Sequence, residues 1–140
     1  MPLVPRKNVL AIVAVTDIAL NARKRPVAAK ALAARHRLPP RLLEPVLQAL
    51  VREGILRGTR GPRGGYELAR DRRRITAEDI LRAARTVEHD VEPEANDFPL
   101  LKEVVAPALA QAENAFADAL SRISVDDLAV SASELRKPRE

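Results

Sequence analysis

The segment Arg57-Gly-Thr-Arg-Gly-Pro-Arg-Gly-Gly-Tyr-Glu-Leu-Ala-Arg70 carries the clearest structural signal in this sequence. Two runs with β-propensity, residues 55–59 and 66–70, flank a tip that is rich in glycine. Because glycine supplies the positive φ that tight turns need, the pattern predicts a β-hairpin. Arg60 and Arg63 lie at this tip, which has little other side-chain bulk. Such a hairpin is suited to lie against a groove of nucleic acid.

Three helices are predicted before the hairpin, over residues 8–21, 28–36 and 41–53. Pro26 ends the first helix, because proline disfavours the helical conformation in the residue before it. The pair Pro39-Pro40 forms the turn between the second and third helices. Thr76 and Asp79 resemble a capping box that opens a fourth helix over residues 77–87. The order predicts a mainly α fold with a small β-hairpin, a winged helix-turn-helix DNA-binding domain.

The third helix has a face suited to reading base edges, opposite a buried stripe of Leu and Val. Arginine pairs with guanine, glutamine pairs with adenine, and glutamate can accept a hydrogen bond from cytosine. Pro45 cannot donate to the carbonyl of Arg41, so the helix either begins near Leu42 or bends in its first turn. An ordinary surface helix could carry the same residues, and only the neighbouring turn and hairpin favour a DNA-reading role. The four candidate residues are Arg41, Glu44, Gln48 and Arg52.

The charge is divided between the two halves of the chain. Residues 1–86 carry 19 Lys or Arg against 7 Asp or Glu, whereas residues 87–140 carry 5 against 12. This asymmetry predicts a polyanionic partner for the first part. Lys7 and Arg35 are interpreted as contacts to phosphate groups, with ordinary surface charge as the alternative. Arg60 and Arg63 are predicted to contact the minor groove or the DNA backbone.

The second half of the chain has a pattern that predicts a function other than DNA binding. Residues 88–99 form an acidic linker interrupted by proline, and residues 100–130 comprise a long helix and a short terminal helix capped by Ser124. Small and apolar residues recur at spacings of four and three, which is typical of a helix that packs on another helix. We therefore expect a homodimer, with residues 131–140 as a tail and residues 1–87 as the DNA-binding domain. The dimer contacts are expected at Leu101, Val105, Ala108, Ala112, Phe116 and Ile123.

Other classes of protein are disfavoured. No cysteine is present, which removes disulfides and thiolate metal sites and agrees with a cytoplasmic protein. No apolar run reaches the ~20 residues that span a bilayer, so no membrane partner is expected. His36 and His89 are the only histidines, and the Gly-rich hairpin lacks the Gly-Lys-Ser/Thr ending of a phosphate-binding loop. An enzyme is therefore not expected.

The order of these elements resembles the Rrf2 family of bacterial transcription regulators. The resemblance rests on residues 28–35, on residues 43–56, on the wing at 60–70 and on the helix opening at 75–80, and it covers residues 8–130. It implies a winged-helix homodimer that binds a partly palindromic operator in double-stranded DNA, usually as a repressor. The late helix forms the dimer interface in such proteins.

One departure from that family affects the cofactor. Several Rrf2 regulators hold an iron–sulfur cluster through three cysteines in the linker, but this linker has acidic residues and His89 instead. Because such clusters are normally held by thiolates, we expect no cofactor. A cation site in the acidic linker is a less favoured alternative to a solvated segment. The effector, the operator and the target genes stay open, and RNA binding or a protein–protein module are the alternative functions.

Overall fold

The computed structural model describes residues 5–87 and 99–135, without the side chains of residues 101 and 102. Six α-helices and one two-stranded antiparallel sheet make up the described part of the chain. In chain order the elements are α1 (Arg6–Asn21), α2 (Ala29–His36), α3 (Pro40–Arg52), β1 (Leu56–Thr59), β2 (Gly65–Leu68), α4 (Ala77–Arg85), α5 (Ala106–Ser121) and α6 (Val125–Leu135).

Helix α1 is the centre of the core. It begins directly after Pro5, and its apolar residues recur at the spacing of one helical face. Ala11, Val15 and Ile18 on that face are completely buried. Helices α3, α4 and α6 all pack against α1. The predicted first helix is therefore present, and it starts two residues earlier than the pattern indicated.

Helices α2 and α3 form the helix-turn-helix. The turn between them begins at Arg37, which adopts the left-handed conformation with φ of 54°. Helix α3 buries Leu43, Val46, Leu47 and Leu50, as the sequence predicted. It starts at Pro40 and continues through Pro45 to Arg52. The predicted helix over residues 41–53 is therefore present and begins one residue earlier than expected. Of the two alternatives for its first turn, the start near Leu42 is not found, because proline at the first helical position lacks only an N–H that needs no helical partner there.

Strands β1 and β2 form the predicted wing, and both are shorter than expected. Ile55 and residues 69–70 lie outside the strands. The register pairs Leu56 with Leu68 and Arg57 with Glu67. Nε of Arg57 donates to Oε1 of Glu67 at 3.1 Å, an exposed cross-strand ion pair of the kind that favours one register.

A single residue from the segment before α2 extends the wing. Val27 and Tyr66 form an antiparallel bridge in which each backbone N–H donates to the carbonyl of the other residue at 2.8 Å. The sequence gives no signal for this pairing, because one residue between Pro26 and a helix has no strand pattern. The bridge fixes the wing next to the start of α2.

The C-terminal segment is less regular than one continuous helix. A π-helical turn occupies Leu100–Val105, and α5 follows it with Pro107 as its second residue. The long helix predicted within residues 100–130 therefore begins as a π-helical turn before Pro107, which cannot donate a helical hydrogen bond. Ser124 caps α6 as expected, since its Oγ accepts from the N–H of Asp127 at 3.0 Å. Helix α6 continues to Leu135, beyond the expected start of the tail at residue 131.

Backbone hydrogen bonds join the C-terminal helices to the winged domain. The N–H of Ala77 donates to the carbonyl of Ile123, and the N–H of Val125 donates to the carbonyl of Ile75, both at 2.8 Å. Thr76, at the centre of this contact, caps α4 in the predicted capping box with Asp79. The described residues on both sides therefore form one packed body.

A buried carboxylate holds α1 against α2. The side chain of Asp17 is 1% exposed, and both its oxygens accept from Arg35 at 2.8 Å. Nε2 of His36 lies 2.6 Å from Oδ2 of Asp17. Burial raises the pKa of Asp17, but the hydrogen bonds from Arg35, His36 and Asn21 together lower it below the ordinary value. The folded protein therefore stabilises the ionised form of Asp17.

We expect Asp17→Asn to destabilise the protein by about 1–3 kcal/mol at neutral pH, because it removes the charge that Arg35 and His36 bind. The pKa of Asp17 is lower in the folded state than its unfolded value of about 3.9. Its stabilising contribution is therefore present above that value and is lost as the pH falls through the folded pKa. Urea unfolding of both proteins at a series of pH values measures this difference.

The exposed residue Asp118 provides the matched control. Asp118→Asn should change the free energy of unfolding by less than about 0.5 kcal/mol. Equal stability of Asp17→Asn and the parent at neutral pH would contradict the assigned role of the buried carboxylate.

Candidate nucleic-acid interface

A groove of about 760 Å³ lies between the exposed face of α3 and the wing. One wall comes from the last two turns of α3, and the other comes from β1 and the hairpin tip. The start of α2 forms the end of the groove. The residues that line it are Ala28, Ala29, Gln48, Val51, Arg52, Gly58, Thr59, Arg60, Gly61, Gly64, Gly65 and Tyr66.

Three of the predicted DNA contacts come together in this groove. Gln48 and Arg52 lie one turn apart on α3, and Arg60 lies on the opposite wall. All three side chains are exposed. A glutamine and two arginines on facing walls provide hydrogen-bond donors for base edges and phosphate groups. The groove thus has the shape and charge for a polyanion.

The other two predicted residues of α3 lie away from this groove. Arg41 and Glu44 are exposed near the start of the helix, and neither belongs to the groove lining. Arg41 instead lines a separate cavity together with Lys7, which is half-buried in the first turn of α1. Base contacts by Arg41 and Glu44 and a phosphate contact by Lys7 stay predictions.

A smaller cavity of about 310 Å³ lies on the other side of the wing tip. Arg25, Arg35 and Arg63 all line it, together with the backbone that leads into α2. Arg35 and Arg63 are predicted DNA contacts, whereas Arg25 was expected only to belong to the break before Pro26. The run Arg23-Lys24-Arg25 was the available signal.

Arg35 is already bound within the protein. Its Nε and Nη2 donate to the two oxygens of Asp17, and the hydrogen bond to that carboxylate raises the pKa of Arg35. The side chain of Arg35 is nevertheless 38% exposed. A contact between Arg35 and DNA phosphate stays a prediction, and Asp17 would hold the guanidinium in position for it.

The basic run after the wing also has internal partners. The side chain and backbone N–H of Arg73 donate to Asp71, which lowers the pKa of Asp71 to about 2. Nε of Arg72 donates to Asp126 in α6 at 2.7 Å. Arg72 therefore joins this loop to α6, whereas Arg73 stabilises the turn that follows Asp71.

A cofactor site has no support among the described residues. They contain no group of three or more His, Cys, Asp or Glu side chains that could hold a metal ion. The chain has no cysteine, so the thiolate ligands of an iron–sulfur cluster are missing from the sequence itself. The candidate cation ligands of the acidic linker lie outside the described residues. No helix in the described ranges has the length and apolar character needed to cross a membrane.

Comparison with known proteins identifies the family. The family model Rrf2, an iron-dependent transcriptional regulator, matches residues 5–131. The protein slr0846 of Synechocystis sp., described as an HTH-type transcriptional regulator, is 35% identical over 126 residues, which cover 87% of this chain and 84% of the relative. The chain therefore belongs to the Rrf2 family of transcriptional regulators.

Solved structures give the same assignment of the fold. The structure of T. potens IscR is similar with a TM-score of 0.76 and 27% identity, over 98% of this chain and 93% of IscR. CymR, the global cysteine regulator of B. subtilis, has a TM-score of 0.70 at 24% identity, over 91% of this chain and 96% of CymR. At this level of identity, the similarity to CymR shows the fold alone. The predicted winged helix-turn-helix is confirmed.

The backbone of the wing leaves no room for a side chain at Gly64. A Cβ there would overlap the carbonyl oxygen of Thr59, whereas a Cβ at Gly58 would lie 3.8 Å from the ring of Tyr66, an ordinary contact. Gly64→Ala should therefore destabilise the hairpin by about 1–3 kcal/mol. Gly58→Ala should be neutral or stabilising by up to about 1 kcal/mol, since alanine restricts the unfolded chain.

Hydrogen exchange at the amide of Tyr66, which donates to Val27, measures the hairpin locally. Exchange should be faster in Gly64→Ala and unchanged or slower in Gly58→Ala. The same direction of change in both variants would contradict the close approach at Gly64.

Proposed function

We propose that this Rrf2 protein is a repressor that binds a partly palindromic DNA operator as a homodimer. Each protomer places the exposed face of α3 in the major groove and the hairpin tip in the flanking minor groove. Gln48 and Arg52 would contact base edges, while Arg60 and Arg63 would respond to the shape of the minor groove. The chain would act in the cytoplasm, where bacterial DNA is found, and without catalysis.

One observation supports this proposal most strongly. The groove between α3 and the wing combines Gln48, Arg52 and Arg60 with a wall made largely of glycine and threonine. The glycines allow a close approach of a ligand to the wing backbone. The net charge of residues 1–86 and the arginine-lined cavity beside the tip favour a polyanion over an acidic protein.

The exposed face of α5 supports dimerisation. Of its 16 residues only Leu120 is buried, and Leu109 and Phe116 are 57% and 37% exposed. Val105 and Ile123, just outside the helix, are each 38% exposed. A self-associating helix fits this surface because its exposed side chains are mostly alanine and larger apolar residues, which a second copy could bury. Ala108 and Ala112 lie exposed on α5 as well. Leu101 falls on the π-helical turn, and its side chain is not described.

Substitutions on the two walls of the groove should affect DNA binding differently. Gln48→Ala should relax the preference at one base position by about 1–3 kcal/mol. Arg60→Ala should weaken binding to all sequences more evenly and reduce the salt dependence of log K by about 0.9 for the lost phosphate neutralisation. Selection from random duplexes, followed by titration at several salt concentrations, measures both effects.

Arg82→Gln on α4 is the matched control for charge, because this exposed side chain lies outside the groove lining. It should leave the selected sequence unchanged. The selection should return half-sites about 34–36 Å apart, or a multiple of that spacing. A preference for single strands or folded RNA over every duplex would overturn the proposed function.

Charged substitutions on the face of α5 should produce monomers. Val105→Asp and Phe116→Asp would bury a carboxylate in the proposed interface, so the dimer should dissociate at concentrations at least about 100-fold higher, an effect of about 2.7 kcal/mol. Analytical ultracentrifugation measures the change. Affinity for a full palindrome should fall, while affinity for a half-site should not.

Leu135→Asp, at an 85% exposed position at the end of α6, is the control for an added charge. It should leave the dimer intact. Dimers of unchanged strength in both α5 variants would place the interface elsewhere.

A further inference from the structure

A cavity of about 390 Å³ lies beside the first turns of α3, outside the groove that faces the wing. The start of α1 forms its second wall, and Val87, after the end of α4, completes it. The residues that line it are Pro5, Arg6, Lys7, Leu10, Arg41, Leu42, Pro45, Val46 and Val87. Of the predicted DNA contacts, Lys7 and Arg41 line it, and it shares no residue with the groove that faces the wing.

The lining has the composition of a ligand site. Most of the lining residues are apolar, and the polar ones are cationic; no acidic residue of the described chain lines the cavity. Small-molecule sites are typically clefts of about 300–1,000 Å³ with apolar walls and a few polar groups that fix orientation. Leu42 is 43% exposed, although it is a large apolar residue on a helix of a strongly basic domain.

Pro45 lies in the same wall and weakens the first turn of α3. In an α-helix the N–H of residue 45 would donate to the carbonyl of Arg41, but proline has no N–H. The first turn of α3, which carries Arg41 and Leu42, therefore has one helical hydrogen bond fewer than a regular helix.

We propose that this cavity, the α1–α3 cavity, binds a small carboxylate with an apolar body. The apolar part would contact Leu10, Leu42 and Val87, and the carboxylate would pair with Arg6 and Arg41. Arginine suits this task, because its planar guanidinium binds a carboxylate through two parallel hydrogen bonds. The charge of the rim selects an anion, and the apolar walls exclude inorganic ions.

Binding at the α1–α3 cavity would weaken DNA binding. This step rests on the proposed function and on the further prediction that Arg41 contacts DNA. A carboxylate on Arg41 neutralises that side chain and turns it toward α1, so the ligand and DNA compete for one guanidinium. The coupling is reciprocal: DNA must lower the affinity for the carboxylate by the same factor by which the carboxylate lowers the affinity for DNA.

Octanoate is a suitable probe, with octanol and octylamine as controls that share its apolar body. Isothermal titration of the full chain without DNA should give saturable binding of octanoate with a Kd below about 1 mM. Octanol and octylamine should bind at least about tenfold more weakly, because they lack the negative charge. Equal binding of octanoate and octanol, or no saturable binding of octanoate, would overturn the proposal.

Two variants locate the site. Arg6→Gln removes a rim charge, and Leu42→Trp fills the cavity from an exposed position. Each should weaken octanoate binding at least about fivefold, and Arg82→Gln should not. Unchanged binding in both variants would place octanoate elsewhere and overturn the assignment, whereas weaker binding in either one, without loss of thermal stability, supports it.

The coupling is measured with an operator duplex in the presence of octanoate. We expect at least about fivefold weaker DNA binding at saturation, within the usual range of allosteric coupling, and no effect of octanol. Unchanged DNA affinity at saturating octanoate would overturn the competition for Arg41. DNA binding without octanoate tests the proposed function separately, so the failure of one proposal is distinct from the failure of the other.

Discussion

One pair of backbone hydrogen bonds holds the wing next to the start of α2. Val27 and Tyr66 exchange N–H to carbonyl bonds at 2.8 Å, and these bonds join the hairpin to the segment that leads into α2. Gly65 permits this contact: its φ is +154°, and a Cβ there would overlap the carbonyl of Val27. A two-stranded hairpin alone is marginally stable in water, and the bridge adds to the packing of Leu56 and Leu68 on the core. The groove beside α3 exists because the wing is held there.

A second contact fixes the other end of α2. The carboxylate of Asp17 in α1 binds Arg35 and His36 at the last turn of α2, while the Val27 bridge lies just before the first turn. Helix α2 is short and has no side-chain cap at its start. Its position is therefore set from outside by α1 and by the wing, and α3 follows from α2 through a turn of three residues, 37–39. The groove between α3 and the wing and the arginine-lined cavity beside the wing tip both include the start of α2, so their shapes depend on these two anchors.

The sequence predicted what is local. The spacing of apolar residues predicted the helices, and the glycines between two alternating runs predicted the hairpin. Thr76 and Asp79 predicted a capping box, which is present. The sequence also predicted that Gln48 and Arg60 contact the same DNA duplex, and both residues line the groove between α3 and the wing. Contacts between distant residues could not be found in this way. Asp17 and Arg35 are 18 residues apart in the sequence. A single Asp in an apolar helix gives no sequence signal for the residue that it pairs with. The Val27 bridge and the position of Arg25 in the cavity beside the wing tip depend on the tertiary structure, so they cannot be predicted from sequence periodicity.

The joint at Ala77 and Ile123 connects the winged domain to α5, the helix proposed to form the dimer interface. Helix α5 packs on α4 through Leu120 against Leu81, and the two backbone bonds at residues 75–77 and 123–125 fix the turn that follows it. If a second copy packs on the exposed face of α5, the distance between the two α3 helices is set by this joint and by the packing of α4 on α1. A joint made of backbone bonds and a capping box resists small rotations better than a flexible linker does. The half-site spacing of the proposed operator would then depend on this contact. The side chains proposed to read the bases would determine only which bases occupy each half-site.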